Sequence, residues 1–99
     1  MSQQYPVKVR NIDFSQCKYW GEVYGVLRDE LELPDWFGEN LDALWDSVTG
    51  IMYVPAEIRI SRTVANSELQ DEVDKIISVF QEAEQKYHQI TVVVKDNND

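Results

Sequence analysis

Two carboxylates one helical turn apart are the residues of this sequence whose types and spacing point most clearly to chemistry. Asp42, Asp46 and Thr49 stand at i, i+4 and i+7, so they share one stripe if this segment is helical. Like charges at this spacing destabilise a helix by roughly 0.2–0.5 kcal/mol. Helix propensity alone therefore does not favour Asp at both positions, which suggests a binding or catalytic role for this stripe.

The acidic charge around these carboxylates is concentrated in one short segment. Residues 28–46 contain one basic and seven acidic side chains, a balance of −6. One interpretation is that these acids form a solvated helix face. The helix dipole stabilises a negative charge at the position of Asp42, near the N-terminus, but not at Asp46, which lies near the C-terminal end. A carboxylate-dyad hydrolase is another, since one turn can space two carboxylates suitably, but the chain offers no evident cleft around them.

Three aromatic residues accompany the acids, namely Trp36, Phe37 and Trp45. Each of them fits a buried core position as readily as a surface position. A rim of aromatic and acidic groups is also typical of a surface that binds a cationic protein partner.

Other catalytic and metal-binding chemistries lack the residues they need. His88 is the single histidine and has no Ser, Thr or Cys at a spacing that marks a nucleophile pair. One His and one Cys cannot form a metal cluster, residues 35–46 lack the pattern of a calcium loop, and the four glycines stand singly rather than in a phosphate loop. We therefore expect no enzyme, no metal and no cofactor.

The overall charge excludes further classes of partner. The 99 residues carry 9 Lys and Arg against 18 Asp and Glu, a net charge of −9, which leaves too little positive charge for direct binding of nucleic acid or an anionic membrane. Leu, Ile, Val and Phe make up 28 of the 99 residues, enough for a folded chain. Without a signal-like N-terminus or a long apolar run, a cytoplasmic location is expected, with Cys17 as a buried, unreactive thiol.

Alternating residue types predict a first strand, and helical spacing predicts the element after it. Val7 and Val9 alternate with charged residues, and Ile12 and Phe14 continue the period. With Ser15 as its N-cap, a helix follows whose apolar face is formed by Trp20, Val23, Tyr24, Leu27 and Leu31. Pro34 ends this helix, because it disfavours the helical conformation for the residue before it.

A second helix is expected to begin after the cap residue Asn40 and to run to about Thr49, with Gly50 as its C-terminal cap. Its core stripe consists of Leu41, Leu44 and Val48.

The second half of the chain predicts two more strands and a long helix between them. Ile58 and Ile60 alternate with polar residues, residues 69–87 keep helical spacing, and residues 90–94 form a β-branched run typical of a strand covered on both faces. Strands joined by helical crossovers pair in parallel. The prediction is an α/β fold with a small three-stranded parallel sheet and helices packed against it, in a single domain over residues 1–99 with its core at about 7–95.

The segment LPDWFGENLDALWD at residues 33–46 resembles the signature of the barstar family, the intracellular protein inhibitors of small microbial ribonucleases. The resemblance extends to VFQEA at 79–83 and ITVVV at 90–94. It implies a small basic secreted-type ribonuclease as the partner, a monomer when free, and an active site plugged by the second helix and the loop before it. In this family the acid at the position of Asp46 takes the place of the RNA phosphate. The other implied contact residues are Trp36, Gly38, Asn40, Asp42, Trp45, Thr49 and Glu82.

Two positions depart from the family pattern. Ile51 stands where the best-known members carry a further aromatic residue, and Lys86 stands one turn after Glu82 where another acid is expected. Glu82 and Lys86 have the order that favours an i, i+4 ion pair, which would partly neutralise Glu82. These departures leave open an alternative function, an acidic interaction module of the same fold that binds a basic partner other than a ribonuclease.

Overall fold

The computed structural model describes residues 6–95 and shows three strands and three α-helices. The elements in chain order are β1 (Lys8–Asp13), α1 (Trp20–Glu30), α2 (Leu41–Gly50), β2 (Ala56–Ser61), a 3₁₀ turn (Ser67–Leu69), α3 (Gln70–Lys86) and β3 (Ile90–Lys95). The strands form one parallel sheet in the order β1-β2-β3. The predicted α/β fold class is thereby confirmed.

The sheet is covered on one face only. On the central strand β2, Ala56, Ile58 and Ile60 are buried, whereas Glu57 and Arg59 on the opposite face are partly exposed and paired with each other. The expectation that β3 is covered on both faces is wrong. It forms an edge of this sheet, and its residues 92–94 are half-buried.

The first strand buries a different set of side chains from the one its valines suggest. Val7 and Val9 are exposed, whereas Arg10 is 5% exposed and Ile12 is fully buried. The reason is register, because Arg10 pairs with Ile58, whose side chain lies on the covered face. The chain alternates in phase with Ile12 and Phe14, and the two valines fall on the open face.

Buried Arg10 joins β1 to the end of α1. Its Nη1 donates to the carbonyl oxygen of Glu30 at 2.9 Å and lies 2.7 Å from the Glu32 carboxylate. Within residues 6–95, its Nε and Nη2 have no hydrogen-bond partner. The Arg10 guanidinium holds the pKa of the Glu32 carboxyl below its usual range, mainly by hydrogen bonding. The ion pair therefore fixes the chain where it leaves the helix.

The end of α1 is set by the backbone at Glu32 rather than by Pro34. Glu32 has φ 55°, in the left-handed region where glycine is usual. The N–H of Glu32 donates to the Asp29 carbonyl, and the N–H of Leu33 donates to the Arg28 carbonyl. These two bonds form a Schellman motif, so the helix stops before the proline can act.

The start of α1 also differs from the prediction. Ser15 is not the N-cap; its N–H donates to the Asp13 carboxylate. The cap position is occupied by Tyr19, which makes no side-chain cap bond, and the Glu22 carboxylate accepts from the N–H of Lys18 instead. The predicted apolar face is buried at four of its five positions, and the fifth, Trp20, is partly exposed.

The long helix α3 lies just inside the predicted range of 69–87, so Tyr87 falls beyond its end and is exposed. Its buried face consists of Val73, Ile76, Ile77, Phe80 and Ala83. It is tied to α1 by the Tyr24 hydroxyl, which donates to a Glu72 carboxylate oxygen at 2.6 Å. Burial and this carboxylate raise the pKa of Tyr24, so the hydroxyl keeps the proton it donates.

Two further expectations concern Cys17 and membrane segments. Cys17 is buried, and burial together with nearby acids raises the pKa of its thiol, which disfavours the reactive thiolate. Among the helices of residues 6–95, none is long and apolar enough to cross a membrane.

Candidate functional site

The helix α2 holds the central carboxylates outward because its opposite side is anchored in the core. The Asn40 side chain accepts from the N–H of Ala43 at 2.8 Å, which confirms the predicted N-cap. The buried side consists of Leu44, Ser47 and Val48, with Leu41 half-buried. Asp42 and Asp46 are exposed on the other side, and Thr49 is half-buried.

The C-terminal end of α2 differs slightly from the prediction. Gly50 is the last helical residue rather than a left-handed cap, since no glycine within residues 6–95 has a positive φ. The N–H groups of Ile51 and Met52 both donate to the Ser47 carbonyl. The helix is therefore closed by backbone bonds, and Ile51 follows it as an exposed residue.

The carboxylates of Asp42 and Asp46 are unpaired within the part of the chain that the structure describes. No cation or hydrogen-bond donor of residues 6–95 engages either of them. Glu32, from the same acidic segment, is by contrast paired with Arg10 and Lys8. Asp42 and Asp46 are therefore exposed negative charges on α2 that a partner can reach.

The loop before α2 separates its two aromatic residues between surface and core. Phe37 is 7% exposed and lies 6.2 Å from the ring of Tyr24, whereas Trp36 is 75% exposed. The N–H of Phe37 donates to the Pro34 carbonyl in a tight turn. Burial of Phe37 thus fixes the loop and leaves Trp36 projecting into solvent.

Gly38 allows this loop to lie close to the start of α2. A Cβ at this position would lie 3.2 Å from the Ala43 side chain and 3.3 Å from the Asn40 amide nitrogen, which is closer than ordinary packing permits. The loop and the helix therefore form one surface, which continues for about 15 Å along the ten residues of α2.

Trp45 and Thr49 contribute to the same surface from the second half of α2. Trp45 is half-buried, with its ring 6.3 Å from that of Tyr87. The Thr49 hydroxyl donates to the Trp45 carbonyl at 2.7 Å. Because its proton is used inside the helix, Thr49 can offer a partner only its acceptor lone pairs in this arrangement.

Glu82 of α3 lies beside α2 across a shallow depression of about 330 Å³. The depression is lined by Leu41, Asp42, Trp45, Val79, Glu82 and Lys86. The expected ion pair between Glu82 and Lys86 does not form within the described residues; the Lys86 ammonium lies over the Trp45 ring, 5.5 Å from its centroid. Glu82 therefore keeps its charge unpaired. The sequence places Leu41 in the core stripe and gives Val79 no role of its own, because their lining of this depression depends on the packing of α2 on α3.

No group of three or more His, Cys, Asp or Glu side chains converges to hold a metal anywhere in residues 6–95. His88 is exposed. The surface formed by α2 and the loop before it presents the carboxylates of Asp42 and Asp46 and the indole rings of Trp36 and Trp45, which are groups that bind cationic side chains.

Two comparisons with known proteins each match this chain to a protein described as an inhibitor. The family model described as "Barstar (barnase inhibitor)" matches residues 7–95. A protein of Bacillus subtilis (strain 168) named "Putative ribonuclease inhibitor YrdF" is 38% identical over 61 residues, which cover 61% of this chain and 67% of that protein.

Proposed function

The chain belongs to the barstar family of barnase inhibitors, and we propose that it inhibits a small basic, barnase-like ribonuclease by covering its active site with α2 and the loop before it. Members of this family are inhibitors, so the chain is not an enzyme. The relative named as a ribonuclease inhibitor supports the same class of target.

The observation that carries the proposal is the pair of exposed carboxylates on α2, Asp42 and Asp46, which have no partner among residues 6–95, with a tryptophan in the loop and another on the helix. A ribonuclease holds the phosphate of its substrate with Arg, Lys and His side chains. A carboxylate accepts the same charge-assisted hydrogen bonds as a phosphate oxygen. We assign this phosphate-mimicking role to Asp46, at the centre of the exposed stripe.

The other proposed contact residues come from α2, from the loop before it and from α3. They are Trp36, Gly38, Asn40, Asp42, Trp45, Thr49 and Glu82. Exposed Trp36 offers an indole face to an imidazole or guanidinium group, and Asp42 and Glu82 add negative charge opposite a basic enzyme. RNA itself is not a ligand in this proposal, because the inhibitor occupies the site that RNA would use. A cytoplasmic location, a monomeric free state and a single domain over the whole chain remain predictions.

The direct test is a titration of barnase activity on an RNA substrate with the purified chain. We expect complete inhibition at one inhibitor per enzyme, because one active site is covered by one α2 surface. The same titration against a pancreatic-type ribonuclease, whose active site has a different shape, is the control and should show no inhibition.

The alternative of an acidic module for another basic protein predicts a different outcome. In that case neither barnase nor other small microbial ribonucleases would be inhibited, and an affinity capture would return a protein without nuclease activity. The exposed Ile51 and the position of Lys86 over the Trp45 ring are the features that motivate this alternative.

A further inference from the structure

Lys86 occupies a position inside the candidate site that its sequence spacing does not suggest. Its ammonium lies 5.5 Å from the centroid of the Trp45 ring, within the distance at which a cation is attracted to the face of an indole. Glu82, one turn away on the same helix, has no ion pair with it within residues 6–95. The chain thus places one of its own cations on an aromatic ring of the surface proposed to bind a cationic protein.

The consequence follows from the lining of the depression between α2 and α3. Trp45 and Lys86 both line it, together with Asp42 and Glu82. An arginine or lysine of a partner that enters between the two acids meets the Lys86 ammonium at the indole it would stack on. It must displace Lys86 or accept repulsion from a like charge at short range.

In a step that rests on the proposed function, we propose that Lys86 is a specificity-determining residue that weakens the binding of barnase and of other ribonucleases that present a cationic side chain to the depression between α2 and α3. Asp42 and Glu82 attract any basic enzyme, and the positive charge of Lys86 weakens that attraction next to the Trp45 ring. Unfavourable elements of this kind are how related interfaces discriminate between similar partners.

The test compares the affinity of barnase for the wild type, Lys86→Met, Lys86→Arg and Lys75→Met. Methionine keeps the apolar length of the side chain and removes the charge, and arginine keeps a cation over the ring. Lys75 lies on the same helix, pairs with Asp71 and is exposed, so Lys75→Met makes the same change in net charge away from the site. Thermal unfolding of each variant shows whether the fold is retained.

We expect Lys86→Met to bind barnase about tenfold more tightly than the wild type, while Lys86→Arg and Lys75→Met stay within about threefold of it. Equal or weaker binding by Lys86→Met, with the wild type inhibiting barnase, would overturn the role of Lys86 and leave the proposed function standing. An equal gain in Lys75→Met would overturn it too, because the effect would then be one of net charge. Failure of the wild type and all variants to inhibit would contradict both proposals.

Discussion

At the scale of single residues, the least predictable contact is the ion pair between Arg10 and Glu32. Both residues stand in charged surroundings in the sequence, yet one guanidinium is buried and the carboxylate beside it sits on a left-handed backbone. Nothing in local spacing links positions 22 residues apart. The pair forms because the register of β1 turns Arg10 towards the covered face, where the end of α1 supplies a carbonyl and a carboxylate.

Substitution of Glu32 separates the backbone strain from the ion pair. Glu32→Ala and Glu32→Gly both remove the carboxylate, but only glycine adopts a positive φ without a steric cost. Glu32→Gly is therefore expected to be more stable than Glu32→Ala by about 1 kcal/mol. Urea unfolding of the two variants measures this difference. Equal free energies of unfolding would show that position 32 is not left-handed in solution.

At the scale of elements, helical periodicity predicted more than strand periodicity did. The buried faces of α1 and α3 and the N-cap of α2 could be read from apolar spacing and from Asn40. Which side chains of β1 are buried, and that β3 is partly exposed, could not be read in this way. Valine occurs on both faces of a sheet, and only the packing of the helices shows which face is uncovered. The exposed stripe of α2 was predictable, since its core stripe fixes the opposite side.

The tie between α1 and α3 offers a test at this scale. Tyr24→Phe removes only the hydroxyl that donates to Glu72, while the ring keeps its place beside Trp20 and Phe37. Because a hydrogen bond to a carboxylate is lost, a decrease of about 1–2 kcal/mol in the free energy of unfolding is expected. Chemical denaturation measures it, with Tyr19→Phe as the control because Tyr19 is exposed. A decrease no larger than that of the control would contradict the tie.

At the scale of the whole molecule, the net charge of −9 disfavours nucleic acid as a partner and favours a basic protein. The charge is distributed unevenly, since among residues 6–95 Glu32 is paired with cations whereas Asp42, Asp46 and Glu82 are not. The surface formed by α2 and its flanking residues therefore presents unpaired acids to an approaching enzyme. Long-range attraction of this kind acts before contact and is weakened by salt.

Ionic strength should therefore act on association more than on dissociation. Stopped-flow mixing with barnase at rising NaCl concentration is expected to show a falling association rate constant and a dissociation rate constant that changes little. An association rate constant independent of salt would mean that the acidic surface does not guide the encounter.

The proposed function depends above all on Asp46, which is expected to occupy the phosphate position of the ribonuclease. The most direct measurement is the dissociation constant for barnase of the wild type and Asp46→Ala, with Asp71→Ala as the control. Asp71 is an exposed acid in the first turn of α3, whereas Glu82 of the proposed site lies near the end of that helix. Asp46→Ala should keep the fold and weaken binding at least about a hundredfold, because cations buried in the complex lose their partner; Asp71→Ala should bind like the wild type. Equal affinity of Asp46→Ala and the wild type would contradict the claim.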